Sequence, residues 1–135
     1  VLMSLKNQTE RKVYVVFGCG GERDQGKRSQ MGKVAESIAD SIIITDDNPR
    51  NESASKIRSD ILAGCPDAMQ IANRDEAIEF AINQLQHSDS LLIAGKGHEN
   101  LQLIGSETLP FNDAVVARNS VMRLRETILK SEAKK

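Results

Sequence analysis

Residues 45–50, Thr-Asp-Asp-Asn-Pro-Arg, carry the side chains of this chain that are best suited to binding a small ligand. They directly follow the apolar run 42–44, three isoleucines, which is typical of a short buried strand. Open α/β sheets bind ligands just beyond the carboxyl ends of their strands. The guanidinium of Arg50 can hold a carboxylate through two parallel hydrogen bonds, which a lysine ammonium cannot do. Asn48 and Pro49 would also suit an ordinary turn, but a turn does not account for Arg50.

A glycine-rich loop follows the strand-like run 13–17. Residues 18–28 read Gly-Cys-Gly-Gly-Glu-Arg-Asp-Gln-Gly-Lys-Arg and nearly match a P-loop, but Arg28 stands where Ser or Thr would hold magnesium. They also begin a dinucleotide fingerprint, in which Arg23 replaces the third glycine. Two interpretations stay open: an anion-binding turn, to which Arg23, Lys27 and Arg28 add positive charge, or a strand-to-helix turn with solvated charges.

A second glycine loop, Ala-Gly-Lys-Gly-His-Glu at residues 94–99, follows the apolar run 91–94. Its two glycines would let the backbone approach a ligand, and Glu99 could receive an ammonium group. The alternative is a flexible turn into a hairpin. His98 and Glu99 do not form a zinc motif, because Gln102 stands where the second histidine would be. All three loops follow strand-like runs, which predicts one shared site at one edge of a sheet.

The composition predicts a soluble globular domain and argues against several classes of protein. The 135 residues are 27% charged and 39% apolar, and the net charge of −1 argues against a nucleic-acid or membrane partner held by bulk electrostatics. Aromatic residues make up only 3%, too few for base-stacking platforms, and no apolar run is long enough to insert into a membrane. Cys19 and Cys65 have no metal-like spacing, so we expect free thiols and no metal site.

Strand-like and helix-like segments alternate along the chain, which predicts a three-layer, doubly wound α/β sheet, mostly parallel with an antiparallel edge hairpin. The expected strands are 13–17, 42–45, 68–72 and 91–94, with the hairpin at 101–111. The expected helices are 28–40, 54–63, 73–86 and a last helix capped by Asn112. Apolar stripes predict the buried faces of the first and last helices, namely Met31, Val34, Ala35, Ile38 and Ala39, and Ala114, Ala117, Val121, Leu124 and Ile128.

The three loops occur together and in this order, and in that combination the chain resembles the C-terminal domain of the Mur ligases of the MurE type. The resemblance runs from Val13 to about Leu124. The stretches 73–78 (Asn-Arg-Asp-Glu-Ala-Ile) and 111–113 (Phe-Asn-Asp) also look like landmarks of that family. The resemblance implies a Rossmann-like domain of an ATP-dependent ligase. Such ligases add the third peptide residue of peptidoglycan to UDP-MurNAc-L-Ala-D-Glu through an acyl phosphate.

The Asp-Asn-Pro-Arg form of the second loop implies meso-diaminopimelate as the amino acid to be added. By resemblance, Arg23, Asn48 and Arg50 would hold its carboxylates. The Gly95 carbonyl and Glu99 would take its distal ammonium group. A guanidinium is the natural partner of the second carboxylate, which lysine lacks. The supporting loop residues would be Asp47, Pro49, Lys27 and His98.

The resemblance also implies what this chain lacks. The complete enzyme has an N-terminal domain for the UDP-sugar and a central domain, which would mainly bind ATP and Mg²⁺. The first strand and most of the first helix of the C-terminal domain would also be missing. Residues 1–135 are then one incomplete domain, whose exposed apolar face favours self-association. No catalytic residue and no activity are expected from the chain alone, and a bacterial cytoplasmic location is implied. The alternative function is a stand-alone nucleotide- or phosphate-binding module built on residues 21–28.

Overall fold

The computed structural model describes residues 12–95, 101–104 and 106–133. The α/β class predicted from the alternating segments is confirmed. Within this part of the chain, no helix is both long and apolar enough to cross a membrane. The elements follow in the order β1 (Val13–Phe17), α1 (Gly26–Ile38), β2 (Ser41–Ile44), α2 (Ala54–Leu62), β3 (Met69–Gln70), α3 (Arg74–Gln84), β4 (Ser90–Ala94), β5 (Leu101–Ile104), β6 (Glu107–Pro110) and α4 (Asp113–Ala133).

The first four strands form one parallel sheet in the order β3-β2-β1-β4. Val15 of β1 lies opposite Ile42 of β2 on one side and Leu92 of β4 on the other. The chain adds strands outward from β1 to β3 and then returns to place β4 on the other side of β1. The winding therefore reverses between β1 and β4, and doubly wound sheets bind their ligands at such a switch point.

Apolar side chains cover both faces of this sheet, as expected for parallel strands with helices on both sides. On one face, Val15, Phe17 and Ile44 belong to a core shared with α1 and α2. On the opposite face, Val16 and Ile43 belong to a second core shared with α3 and α4. The predicted three-layer arrangement is confirmed.

The hairpin strands β5 and β6 form an antiparallel sheet of their own. Their register places Leu101 opposite Pro110 and Ile104 opposite Glu107. An isolated parallel bridge joins Ile104 to Arg50, in the loop after β2. The predicted antiparallel pair is thus confirmed, but it is attached to a loop rather than to an edge of the main sheet.

Local capping accounts for three of the helix starts. Side-chain oxygens of Ser53, Asn73 and Asn112 accept backbone N–H groups from the first turns of α2, α3 and α4. The predicted ends of most elements are within two residues of those observed. The first helix begins and ends two residues earlier than expected. The strand β3, expected over 68–72, is confined to Met69–Gln70, because this edge strand has only β2 beside it in the described part of the chain.

The buried face of α1 matches the predicted apolar stripe only in part. Ala35 is buried as expected. Met31 and Val34 are 44% and 56% exposed, whereas Arg28 and Gly32 are buried. The helix is turned this way because α1 and α2 lie very close together at Gly32. A β-carbon there would be only 2.4 Å from the carbonyl oxygen of Ile61.

The exposed side chains of α1 border an open apolar groove of about 370 Å³ beside β4. Its other apolar walls are formed by Val15, Phe17, Leu92 and Ala94. The expected self-association through an exposed apolar face stays a prediction.

The apolar stripe of the last helix, α4, also predicts its buried face only in part, since Ala117 and Leu124 contact the second core as expected. Ala114, Val121 and Ile128 are exposed, while the polar residues Asp113 and Ser120 are buried. The stripe is misleading because these two polar residues share a helix face with the residues that contact the core, Val116, Ala117 and Leu124.

Candidate functional site

The first and second polar loops meet Gly95, where the described part of the third loop ends, at the carboxyl ends of β1, β2 and β4. The predicted meeting of the loops at one edge of the sheet is confirmed for these residues. They enclose a cavity of about 410 Å³ that lies at the switch point of the sheet. Each loop contributes to its wall. The lining residues are Gly18, Cys19, Gly20, Arg23, Asp24, Lys27, Arg28, Met31, Asp47 and Gly95.

The first and second loops are packed backbone to backbone. The N–H of Gly21 donates to the carbonyl oxygen of Asn48 at 2.7 Å. A β-carbon at Gly21 would lie 1.8 Å from the carbonyl oxygen of Pro49, so no other residue fits without moving the loops. The early glycines are therefore not the exposed N–H groups of a helix start that an anion-binding turn would use. They allow close approach of the second loop, and the helix begins later, at Gly26.

The guanidinium of Arg50 reaches across the second loop to the first. Its Nη1 donates to the carbonyl oxygens of Gly21 at 3.0 Å and Asn48 at 3.3 Å. A β-carbon at Gly20 would lie 2.9 Å from Nη1 of Arg50 and 3.4 Å from Cγ of Arg23. The two arginine side chains therefore flank the same glycine, and the structure brings together these two predicted site residues.

The other members of the second loop have different positions. Asn48 is 8% exposed, and its Oδ1 accepts the N–H of Leu103 at 3.0 Å. Asp47 is buried to the same degree and lines the cavity next to Gly95. A β-carbon at Gly95 would lie 3.0 Å from Oδ2 of Asp47, and its φ of 113° also favours glycine. The carboxylate of Asp46 instead pairs with Arg58, outside the cavity lining.

Arg28 lines the cavity, but its charge is already paired with two carboxylates, contrary to the anion-binding interpretation. Its side chain is 1% exposed, and its guanidinium bonds Glu52 at 2.6 and 2.9 Å and Asp60 at 2.9 Å. The hydrogen bond from Arg28 is the main cause that lowers the pKa of Glu52 to about 2. Arg28 also donates to the carbonyl oxygen of Gly20 at 3.1 Å, so it holds the first loop in place.

The start of α1 is also less suited to a phosphate than the glycine motif suggests. The N–H of Gly26 donates to Oδ1 of Asp24 at 2.9 Å, so a carboxylate already lies at the helix N-terminus. Arg23 and Lys27 remain exposed beside the cavity. Of the two interpretations left open for this loop, a strand-to-helix turn with exposed cations accounts for these contacts better than a phosphate cradle.

Sequence reasoning missed the contacts of Arg74, which is buried at the start of α3. Its Nε and Nη2 donate to the two carboxylate oxygens of Asp113, each at 2.7 Å. Its remaining donors reach the carbonyl oxygens of Ala94 at 3.0 Å and Asp46 at 3.3 Å. These carbonyls directly precede Gly95 and Asp47, so Arg74 fixes the distance between the second and third loops.

A signal for this role was present in the sequence. Arg74 lies on the α3 face that also carries the buried residues Ala77, Ile78 and Ala81, at helical spacing. A charged residue on an apolar stripe must be paired when it is buried. The family resemblance at 73–78 and 111–113 contains both partners but does not by itself pair them.

The described residues offer neither an activated thiol nor a metal centre. Burial raises the pKa of Cys19 to about 11, so this cavity residue is a neutral thiol at physiological pH. Cys65 is buried in the first core. No three His, Cys, Asp or Glu side chains among these residues are placed together to hold a metal ion. The predicted contributors Glu99 and His98 lie outside the described residues.

Comparison with known proteins agrees with this arrangement of loops. The family model described as "Mur ligase, glutamate ligase domain" matches residues 1–97, more than half of the chain. This chain belongs to the Mur ligase family. A relative from Rickettsia montanensis, named UDP-N-acetylmuramoyl-L-alanyl-D-glutamate–2,6-diaminopimelate ligase, is 56% identical over 89% of this chain. A relative of the same name from Agrobacterium fabrum is 48% identical over 92% of this chain.

A solved structure of a ligase with that name has the same fold as this Mur ligase chain. It superposes with a TM-score of 0.87 at 39% sequence identity and covers 92% of the chain. The chain spans only about a quarter of the relatives' length, namely 26% of the Rickettsia montanensis protein, 25% of the Agrobacterium fabrum protein and 26% of the solved chain.

Proposed function

We propose that this chain is the amino-acid-binding C-terminal domain of an ATP-dependent amide ligase. The ligase would add meso-diaminopimelate to UDP-MurNAc-L-Ala-D-Glu during peptidoglycan synthesis. The observation that carries the proposal is the convergence of Arg23 and Arg50 on Gly20, beside a cavity at the switch point of the sheet. The names of the relatives support the choice of diaminopimelate.

The charges of the site complement those of the proposed substrate. Diaminopimelate has a carboxylate and an ammonium group at each end. Arg23, Asn48 and Arg50 would bind carboxylates, because guanidinium and amide groups donate in a geometry that a carboxylate accepts. The Gly95 carbonyl and Glu99 would bind the distal ammonium group. Asp47, Pro49, Lys27 and His98 would support these contacts from their loops.

The same loops explain how lysine would be rejected. Lysine lacks the distal carboxylate, so a guanidinium placed to bind that carboxylate would be left without its partner. Sites built to bind a polar group discriminate strongly against an analogue that lacks it. We therefore assign substrate selection to the second loop, and to Arg50 above all.

The contribution of this domain to the reaction would be orientation. The ligase would use ATP to convert the glutamyl carboxylate of its UDP-linked substrate into an acyl phosphate, which the amine of diaminopimelate then attacks. Holding the amine in line with the acyl carbon lowers the entropic part of the barrier. ATP and Mg²⁺ would be bound mainly by other parts of a complete, cytoplasmic enzyme. The isolated chain should therefore show no ATP-dependent tripeptide synthesis.

Residue-resolved NMR titration of this chain tests the proposal directly. The ligands are meso-diaminopimelate, L-lysine and Mg-ATP, each added to a separate sample. We expect diaminopimelate alone to shift the resonances of Arg23, Asn48, Arg50 and Gly95. Shifts confined to residues 21–28 with Mg-ATP would instead favour the nucleotide-binding module.

Arg50→Ala tests the selection role in a full-length ligase that carries this chain. A charged hydrogen-bond pair contributes about 1.5–3 kcal/mol, so KM for diaminopimelate should rise roughly 10- to 100-fold. The KM for ATP should stay within about twofold, because a change of less than about 0.4 kcal/mol is expected at a distant site. Arg118→Ala, an exposed arginine on α4, is the matched control. Equal losses for both substrates would contradict the role of Arg50.

A further inference from the structure

Three hydrogen bonds join the hairpin β5–β6 to the second loop, which carries Arg50. The Nε2 of Gln102 donates to the carbonyl oxygen of Asp47 at 2.9 Å. The N–H of Leu103 donates to Oδ1 of Asn48 at 3.0 Å, and the N–H of Arg50 donates to the carbonyl oxygen of Leu103 at 3.1 Å. These bonds act on three of the four positions 47–50 of the second loop, so the hairpin and the loop form one unit.

We propose that Gln102 is a positioning residue that sets the place of Arg50 and thereby the selection of diaminopimelate. This inference rests on the proposed function. Gln102 itself does not line the cavity that holds Arg23 and Asp47, so its effect must pass through the loop. It is the one side chain among the three contacts that comes from the hairpin, and it can therefore be changed without altering any residue of the loop.

The backbone of Arg50 shows why this loop needs external support. Arg50 has a φ of 54°, in the left-handed region that residues with a β-carbon rarely adopt. A non-glycine residue stays there only when surrounding contacts hold it. The hydrogen bond from Arg50 to Leu103 and the bridge to Ile104 both come from β5. Moving β5 therefore releases the backbone that aims the guanidinium.

The chemistry of residue 102 fits this role. Gln102 is 8% exposed, and its amide donates to a backbone carbonyl at a place where water has little access. Methionine has nearly the same length and volume but donates no hydrogen bond. Gln102→Met therefore removes the contact with Asp47 and keeps most of the packing.

The experiment compares Gln102→Met with the parent in a full-length ligase that carries this chain. We expect KM for diaminopimelate to rise on the order of tenfold, the size of one lost buried hydrogen bond, with KM for ATP and for the UDP-linked substrate unchanged. The preference for diaminopimelate over lysine should fall by a similar factor. Gln86→Met makes the same substitution at an exposed position and should change none of these values.

Gln102→Asn gives a second test, with a different change in size and polarity. It keeps the amide but is one methylene too short to reach Asp47, so the same selective rise in KM is expected. A uniform loss of kcat with unchanged KM values in either variant would overturn the positioning role, as would an unchanged KM for diaminopimelate in both. If either result is obtained and the parent enzyme still requires diaminopimelate, only the role of Gln102 is overturned and the proposed function holds. A parent that does not use diaminopimelate would overturn both proposals.

Discussion

Two buried arginines hold the loops of the site from opposite faces of the sheet, and their surroundings differ. Arg74 on α3 pairs with Asp113, whose side chain is only 7% exposed. Arg28 on α1 pairs with Glu52 and Asp60, whose side chains are 14% and 30% exposed. The first pair is dry, whereas the second is open to water at its carboxylates. We expect the burial of the carboxylate partner, rather than that of the arginine, to determine how much each pair contributes to the free energy of unfolding.

Removing Arg74 should have the largest effect on stability. Arg74→Met leaves Asp113 buried without its cation and takes a donor from the carbonyl oxygens of Asp46 and Ala94. The expected loss is about 3–5 kcal/mol in the free energy of unfolding, measured by urea denaturation. Arg74→Met combined with Asp113→Leu should lose less than Arg74→Met alone, because no buried charge remains. A double variant as unstable as the single one would show that the carbonyl contacts dominate.

Removing Arg28 should have a smaller effect, although Arg28 is buried just as deeply. In Arg28→Met, Glu52 and Asp60 can turn toward water, so the loss should be about 1–3 kcal/mol by the same measurement. The first loop should loosen at the same time, because Gly20 loses a donor to its carbonyl oxygen. Faster amide hydrogen exchange at residues 20–23 would report this loosening. A loss equal to that of Arg74→Met would remove the distinction between the two pairs.

The pairing of Arg28 with Glu52 and Asp60 should also make the free energy of unfolding depend on pH. The hydrogen bond from Arg28 lowers the pKa of Glu52 from 4.5 to about 2, and Lys56 and Arg28 lower the pKa of Asp60. The unfolded chain therefore takes up protons at higher pH than the folded chain does. Stability should be complete above about pH 5 and should fall as the pH is lowered toward 2. Glu52→Gln should show a shallower fall in a series of urea titrations, and an unchanged slope would contradict this cause.

The exposed pair Arg123–Glu79 should contribute less to stability than either buried arginine. Its atoms lie 3.2 Å apart, but the two side chains are 52% and 41% exposed. Arg123→Ala should change the free energy of unfolding by less than about 1 kcal/mol, and the effect should vanish in high salt. A larger loss would mean that its hydrogen bond to Ser120, which is buried on α4, matters more than the ion pair.

The fold was readable from the sequence where local signals and burial agree. The β-branched runs of β1 and β2 and the cap residues Asn73 and Asn112 predicted their elements correctly. The helix faces were wrong where polar residues are buried, as with Arg28 on α1 and Asp113 on α4. An apolar stripe cannot reveal a buried ion pair, because its partner comes from a distant part of the chain.

The site was predictable as a meeting of three loops but not in its internal contacts. The order of motifs brought Arg23 and Arg50 together correctly. One of the two interpretations left open for the first loop let Arg28 attract an anion, but its partners Glu52 and Asp60 lie 24 and 32 residues further along the chain. In the sequence, Gln102 stands out only because it occupies the position where a zinc motif would have its second histidine. Its contact with Asp47 spans 55 residues and depends on where the hairpin docks, which no local pattern encodes.

At Arg50, the residue type that would best stabilise the fold differs from the one that selects the substrate. Glycine or asparagine would relieve roughly 1 kcal/mol of steric cost at this φ of 54°. Either one would also remove the guanidinium that recognises the substrate. Selection of variants for thermal stability alone would therefore favour other residues at position 50. An engineer who stabilises this domain should keep Arg50 unchanged.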